Sequence, residues 1–173
     1  MKTIFLSAAI LMSLIASAFT QEAEWNTDYA KAVEQAKAES KPILLDFTGS
    51  DWCGWCMKMK KETLDTPMFN HYAAKNLVLM EVDFPHNKPQ TDEVKKQNQQ
   101  LSQKYKVDGF PCFVLVDKIG KELGRQGGYL EGGPTAFIAK LNTFHKPKPA
   151  AAAPAAGSDF DKLFKKPAQA ANP

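Results

Sequence analysis

The chain has 173 residues, 44 % hydrophobic and 24 % charged, which suits one globular domain with a real core plus tails. Its formal charge of +3 is small, and the segment from Lys146 to Pro173 alone holds five lysines against two aspartates. The remainder therefore has no basic excess of the kind that marks a nucleic-acid-binding face.

The opening "MKTIFLSAAILMSLIASAFTQ" sets Lys2 before an uncharged apolar run that ends in Ala16-Ser17-Ala18. This pattern predicts a secretory signal peptide over residues 1–18, cut after Ala18. The run is short for a membrane span. The mature protein is expected to be soluble, periplasmic or secreted, and free of stable membrane insertion. Disulfide chemistry is permitted there.

The expected domain covers residues 19–145. "NTDYAKAVEQAKAESKP" reads as a helix capped by Asn26 or Thr27, with Tyr29, Val33 and Ala36 on one face and Pro42 beyond its end. "PILLDFTG", a short apolar run closed by glycine, suits a buried strand. A helix then opens at the cysteines of "SDWCGWCMKMKKE" and is expected to run to Leu64. Pro67 begins another helix, "PMFNHYAAKN", and "LVLMEVDF" is a second buried strand. "TDEVKKQNQQLSQKY" is a polar helix capped by Thr91, with Asp92 and Glu93 in the first turn, where negative charge is favoured.

The pattern then changes. "FPCFVLVDKIGKELGRQGG" gives two strand-like runs around the turn "DKIG", a β-hairpin. "GPTAFIAKLNTF" places Pro134 at the first helical position and Phe137, Leu141 and Phe144 on one face. The order αβα(α)βαββα predicts an α/β fold with a central mixed sheet and helices on both faces. Residues 146–173 are half alanine and proline and are expected to form a disordered or extended tail. Within it "FDKLF" spaces Phe160, Leu163 and Phe164 as one sticky helical turn, an inert remnant or a docking motif.

Cys53 and Cys56 stand three positions apart, preceded by Trp52 and Trp55, where a buried strand hands over to a helix. Zinc calls for four ligands, and His71, His86 and His145 lack a paired spacing with the cysteines. A structural staple would enclose a very short loop and stabilise little. A working thiol pair gains from the position. Cys53 falls at a helix N-terminus, where unpaired N–H groups and the helix dipole stabilise an anion. The thiolate is the reactive form of cysteine. Cys56 lies one turn on, within reach of a mixed disulfide formed at Cys53.

Strand, "WCGWC", helix and a later "GFP" before a hairpin resemble the thioredoxin superfamily over residues 25–145. "KPILLDFTGSDWCGWCMKMKKETLDTPMF" is most similar to exported thioredoxin-like proteins and to the C-terminal thioredoxin-like domain of transmembrane thiol–disulfide reductases. The resemblance implies a thioredoxin-like fold and a set of roles. Cys53 is the exposed nucleophile and Cys56 resolves the mixed disulfide. Asp46 of "LLDF" is the buried acid that moves a proton to or from the second thiol. Pro111 of "GFPCF" is the cis-proline facing the sulfurs, and Phe110 offers backbone groups to a substrate strand. Trp52, Gly54 and Trp55 frame the substrate contact.

An aspartate inside "ILLDF" is costly unless it has a partner, which favours a role for Asp46. The sequence departs from the family pattern at three places. One extra residue separates Asp46 from Cys53. Trp55 stands where thioredoxin has proline and other members have histidine, so the redox potential is not inherited from thioredoxin. Cys112 directly follows Pro111 and reads as a small buried core residue. Lys58, Lys60 and Lys61 read as a solvated helix face, and Met57 and Met59 as core packing or cover.

Together these readings imply an exported thiol–disulfide oxidoreductase, leaning to reductase or isomerase, that exchanges protein or peptide disulfides through Cys53-Gly54-Trp55-Cys56. No cofactor is called for, because the cysteines carry the electrons. A membrane thiol relay is the implied electron donor. The contrasting expectation is a non-catalytic thioredoxin-scaffold module that captures partner proteins over the Trp-rich face.

Overall fold

Residues 43–48 have no polar face to show to water except at one end, and they occupy the middle of the sheet. The computed structural model describes residues 23–145. The expected signal peptide and the tail with "FDKLF" lie outside the described residues. Five strands, β1 (Trp25–Asn26), β2 (Ile43–Thr48), β3 (Val78–Asp83), β4 (Cys112–Val116) and β5 (Glu122–Gly127), line up as β1-β3-β2-β4-β5. β1, β3 and β2 run parallel, while β4 is antiparallel to β2 and β5 to β4. All six residues of β2 are buried, as expected of a strand covered on both faces. β1 was not foreseen, because two residues leave no alternation to read.

Helices α1 (Tyr29–Glu39) and α4 (Asp92–Lys104) cover one face. Ala32, Ala36, Leu101 and Tyr105 pack there on Leu45, Phe47, Met80 and Val114. Helices α2 (Gly54–Met59), α3 (Pro67–Asn76) and α5 (Gly133–Phe144) cover the other. Met59, Phe69, Phe137 and Leu141 pack there on Leu44, Leu79, Phe113 and Leu115. The mixed sheet with helices on both faces is the expected architecture.

Three local expectations are corrected. Asp28 caps α1, its Oδ1 accepting from the N–H groups of Ala30 (2.9 Å) and Lys31 (3.3 Å). Asn26 is instead taken into β1, where its amide donates to Leu79 O (3.1 Å). The helix begun at the cysteines is α-helical only to Met59 and continues as a π-helical turn, Lys60–Leu64, closed by the Asp65 N–H on Lys60 O (2.9 Å). That wide turn buries Thr63 and Leu64 together. Pro134 is the second residue of α5, because Gly132 (φ 97°) and Gly133 (φ 62°) take left-handed conformations and start the helix one residue early.

Candidate active site

The chain leaves β2 at Thr48 and turns through Gly49–Trp52 into α2. Gly49 O receives the N–H of Cys53 (2.9 Å) and that of Trp52 (3.3 Å). A Cβ at Gly49 would lie 2.4 Å from the Trp52 indole, so only glycine lets that ring fold over the turn. Cys53 is the N-cap of α2, with extended backbone at φ −85°, ψ 100°. Its Sγ is bonded to that of Cys56, with 5.2 Å between the Cα atoms, and accepts the Cys56 N–H at 3.2 Å. Cys53 keeps 7 % of its surface and Cys56 4 %. The expectation of an exposed Cys53 is therefore corrected for the disulfide state: its sulfur folds back onto the first turn of α2 and is covered with its partner.

Two aromatic walls flank the disulfide. On one side Trp52, 41 % exposed, donates from Nε1 to Phe84 O (2.8 Å) and stacks on the His86 ring at 4.7 Å. Its edge meets Phe110 at 5.8 Å, and Phe110 stacks on Phe84 at 5.3 Å. The Asp51 carboxylate accepts the N–H groups of His86 (2.9 Å) and Asn87 (2.6 Å), which holds that carboxyl below its usual range and fastens the 85–87 turn. On the other side Trp55, 59 % exposed, lies 5.4 Å from the Tyr129 ring. Lys58 Nζ sits over both rings, 5.4 and 4.6 Å from their centroids, and Tyr129 donates to Glu62 (2.6 Å). Lys58, Lys60 and Lys61 are exposed, as expected of a solvated helix face; Lys58 also joins the wall, and Lys60 pairs with Asp65. Of the two methionines, Met59 is wholly buried and Met57 is exposed.

Gly54 lies exposed between the walls, with nothing within 4 Å of an added Cβ. The Phe110–Pro111 peptide is cis, Pro111 is buried, and its carbonyl accepts the Gly128 N–H (2.8 Å), which places Tyr129 next in the chain. Cys112 is free and buried at 6 %, paired with Phe47 across the sheet and packed toward α1 and α4. Burial pushes its thiol up.

Strand alternation turns Asp46 to the other face, the one beneath α2, together with Leu44. Its register partner in β3 is Glu81, and that of Thr48 is Asp83. Asp46 carries that cost: Oδ1 is buried with no hydrogen bond among the described residues. The carboxyl is thereby shifted toward its protonated form. Burial raises it well above the ordinary carboxylate range, Glu81 and Asp83 add to that, and Lys60 opposes it. Glu81 is raised too, by burial first and then by Asp83. Asp83 is the satisfied acid, accepting the Ser50 N–H (2.8 Å) and hydroxyl (2.5 Å).

Sequence reading missed Glu81, Phe84, His86 and Tyr129. Glu81 had a signal: "LLDFT" and "LMEVD" both turn polar at alternate positions near their ends. The aromatic partners had none, because they reach the walls from distant loops.

A family described as a thioredoxin-like domain matches residues 29–145. The chain belongs to the thioredoxin-like family. Within it, the disulfide bond reductase DsbH of Chlamydia pneumoniae is 44 % identical over 120 residues, 69 % of this chain and 71 % of that protein. The thiol:disulfide interchange protein DsbD of Actinobacillus pleuropneumoniae is 31 % identical over 107 residues, 61 % of this chain but 16 % of DsbD. A solved structure of a DsbH oxidoreductase shares the thioredoxin-like fold with a TM-score of 0.67 at 43 % identity, over 72 % of this chain and 85 % of the other. Among the described residues no helix is long and apolar enough to cross a membrane, and no three His, Cys, Asp or Glu side chains gather as a metal site.

Proposed function

We propose that this protein is an exported thiol–disulfide oxidoreductase that reduces protein or peptide disulfides through Cys53 and Cys56. The observation that carries the reading is the Cys53–Cys56 disulfide closed at the N-cap of α2, between two exposed aromatic walls. The reductase named DsbH among its relatives supports the reducing direction.

In the reduced protein the Cys56 N–H and the helix end favour the Cys53 thiolate. Cys53 Sγ attacks one sulfur of a substrate disulfide, and the other sulfur leaves with the bonding pair and takes a proton from water. Cys56 then gives its proton to Asp46 and attacks Cys53 Sγ. The second substrate sulfur departs, and the Cys53–Cys56 disulfide holds the two electrons' worth of oxidation. No bound cofactor is required. A dithiol donor must reopen the disulfide, and the DsbD likeness supports a membrane thiol relay in that part. Trp52, Gly54, Trp55 and Phe110 bound the surface where the substrate strand lies, and Pro111 presents no N–H toward it. Residues 1–18 act as the export signal and residues 146–173 as a tail outside the working domain, 19–145.

A Cys56→Ser variant should accumulate mixed disulfides between Cys53 and substrate proteins, recovered by non-reducing purification and mapped by mass. Absence of such adducts, or partner capture that survives Cys53→Ser combined with Cys56→Ser, would replace the enzyme with a binding module.

A further inference from the structure

Three carboxyls share the sheet face beneath α2, and one ammonium lies at the surface near it. From β3 come Glu81 and Asp83, from the π turn Lys60, and from α2 the buried Cys56; β4 contributes the apolar Phe113, with the Cys112 thiol on the opposite face. Asp83 is occupied by Ser50, whose hydroxyl also receives Lys88 (2.8 Å). Lys60 is held at the surface by Asp65, its side chain 54 % exposed. Asp46 is left abreast of Glu81 on a parallel strand with a bare Oδ1. Two carboxyls so placed in a poor dielectric do not both ionise, and one proton stays with the pair. It stays on Asp46, the more deeply buried of the two.

We propose that Glu81 is a positioning residue for the proton step: its carboxylate, abreast of Asp46, keeps a proton on the Asp46 carboxyl until the Cys56 sulfur takes it. This rests on the reading of Asp46 as the acid that serves Cys56. When a donor dithiol reopens the disulfide, its thiolate sulfur bonds to Cys53 Sγ and the Cys53–Cys56 bond breaks. Cys56 leaves with the electron pair, the Asp46 proton moves to Cys56 Sγ, and the carboxylate left behind feels the Lys60 ammonium only through space. In substrate reduction the same proton returns from Cys56 to Asp46. Burial first, and Glu81 after it, make Asp46 a weaker acid than an ordinary carboxyl, which favours its holding the proton until Cys56 Sγ takes it.

The test follows the Asp46 carboxyl carbon by NMR against pH in the oxidised full chain, where no thiol titrates at the site. Glu81→Gln, a neutral isostere, should lower the Asp46 midpoint by roughly one pH unit, and Lys60→Gln should raise it. Opposite movement by two charge deletions is not produced by a loosened fold. An Asp46 midpoint that stays put in Glu81→Gln, or moves the same way in both variants, overturns the proposal. The pH profile for reopening of the disulfide by dithiothreitol should shift down with the midpoint in Glu81→Gln. A shifted midpoint with an unshifted profile would remove Asp46 and Glu81 from the proton step and leave Cys53–Cys56 exchange standing.

Discussion

Beneath α1 and α4 the inward residues of the three central strands are all apolar: Ile43, Leu45 and Phe47 of β2, Val78, Met80 and Val82 of β3, and Cys112, Val114 and Val116 of β4. Beneath α2, α3 and α5 the same strands begin alike, with Leu44, Leu79, Phe113 and Leu115, but β2 ends in Asp46 and Thr48 and β3 carries Glu81 and Asp83. The polar ends lie where the chain turns into α2 and the cysteines. Burying a polar group without a partner costs about 1–3 kcal/mol. The three central strands are thus apolar throughout on one face, while the other face gives up some stability at one end, where the chain turns into α2 and the cysteines.

The comparison breaks if the two faces respond alike to substitution. The largest stability effect belongs to the apolar face: Phe47→Ala should cost about 3–5 kcal/mol by urea unfolding, because a fully buried ring leaves a cavity. Disulfide reduction per folded molecule should change far less. A loss under about 1 kcal/mol would mean that this face is not close-packed.

The polar end should show itself through pH. The folded-state ionisation of Asp46 lies above its unfolded value near 3.8, so its contribution is fully present below that pH. As pH rises the unfolded chain releases the proton first, and stability falls by up to about 1.4 kcal/mol per pH unit until the folded carboxyl ionises. Glu81 acts with the same sign. Asp46→Asn should flatten this fall in urea titrations taken at stepped pH, and an unchanged slope would show that Asp46 keeps no proton.

Away from both cores, Asp28→Ala should cost about 1 kcal/mol, the usual worth of an N-cap. Thr27→Ala should cost much less. Equal losses in melting temperature would return the cap to the residue first favoured by sequence.

The apolar face was nearly all legible, since its runs at 43–48, 78–83 and 112–116 announce buried strands and proline or glycine marks most helix limits. What escaped was set by tertiary packing. A two-residue strand and a π turn leave no period, and Asn26 lost the capping role because Leu79 O claimed its amide. At the site, Cys53, Cys56, Asp46 and Pro111 stood out in single short motifs. Glu81 did not, because the acid gains its meaning only from the register that sets it beside Asp46. Trp52 and Trp55 were visible, but their supports, Phe84, His86 and Tyr129, become neighbours only once the loops close.

The reduction potential of the Cys53–Cys56 pair, measured by equilibrating the protein against dithiothreitol, tests most directly whether this thiol pair works as a reductant. A value on the reducing side, nearer about −270 mV than −120 mV, is the predicted result. A value near about −120 mV would make the pair an oxidant of dithiols and contradict the reducing role.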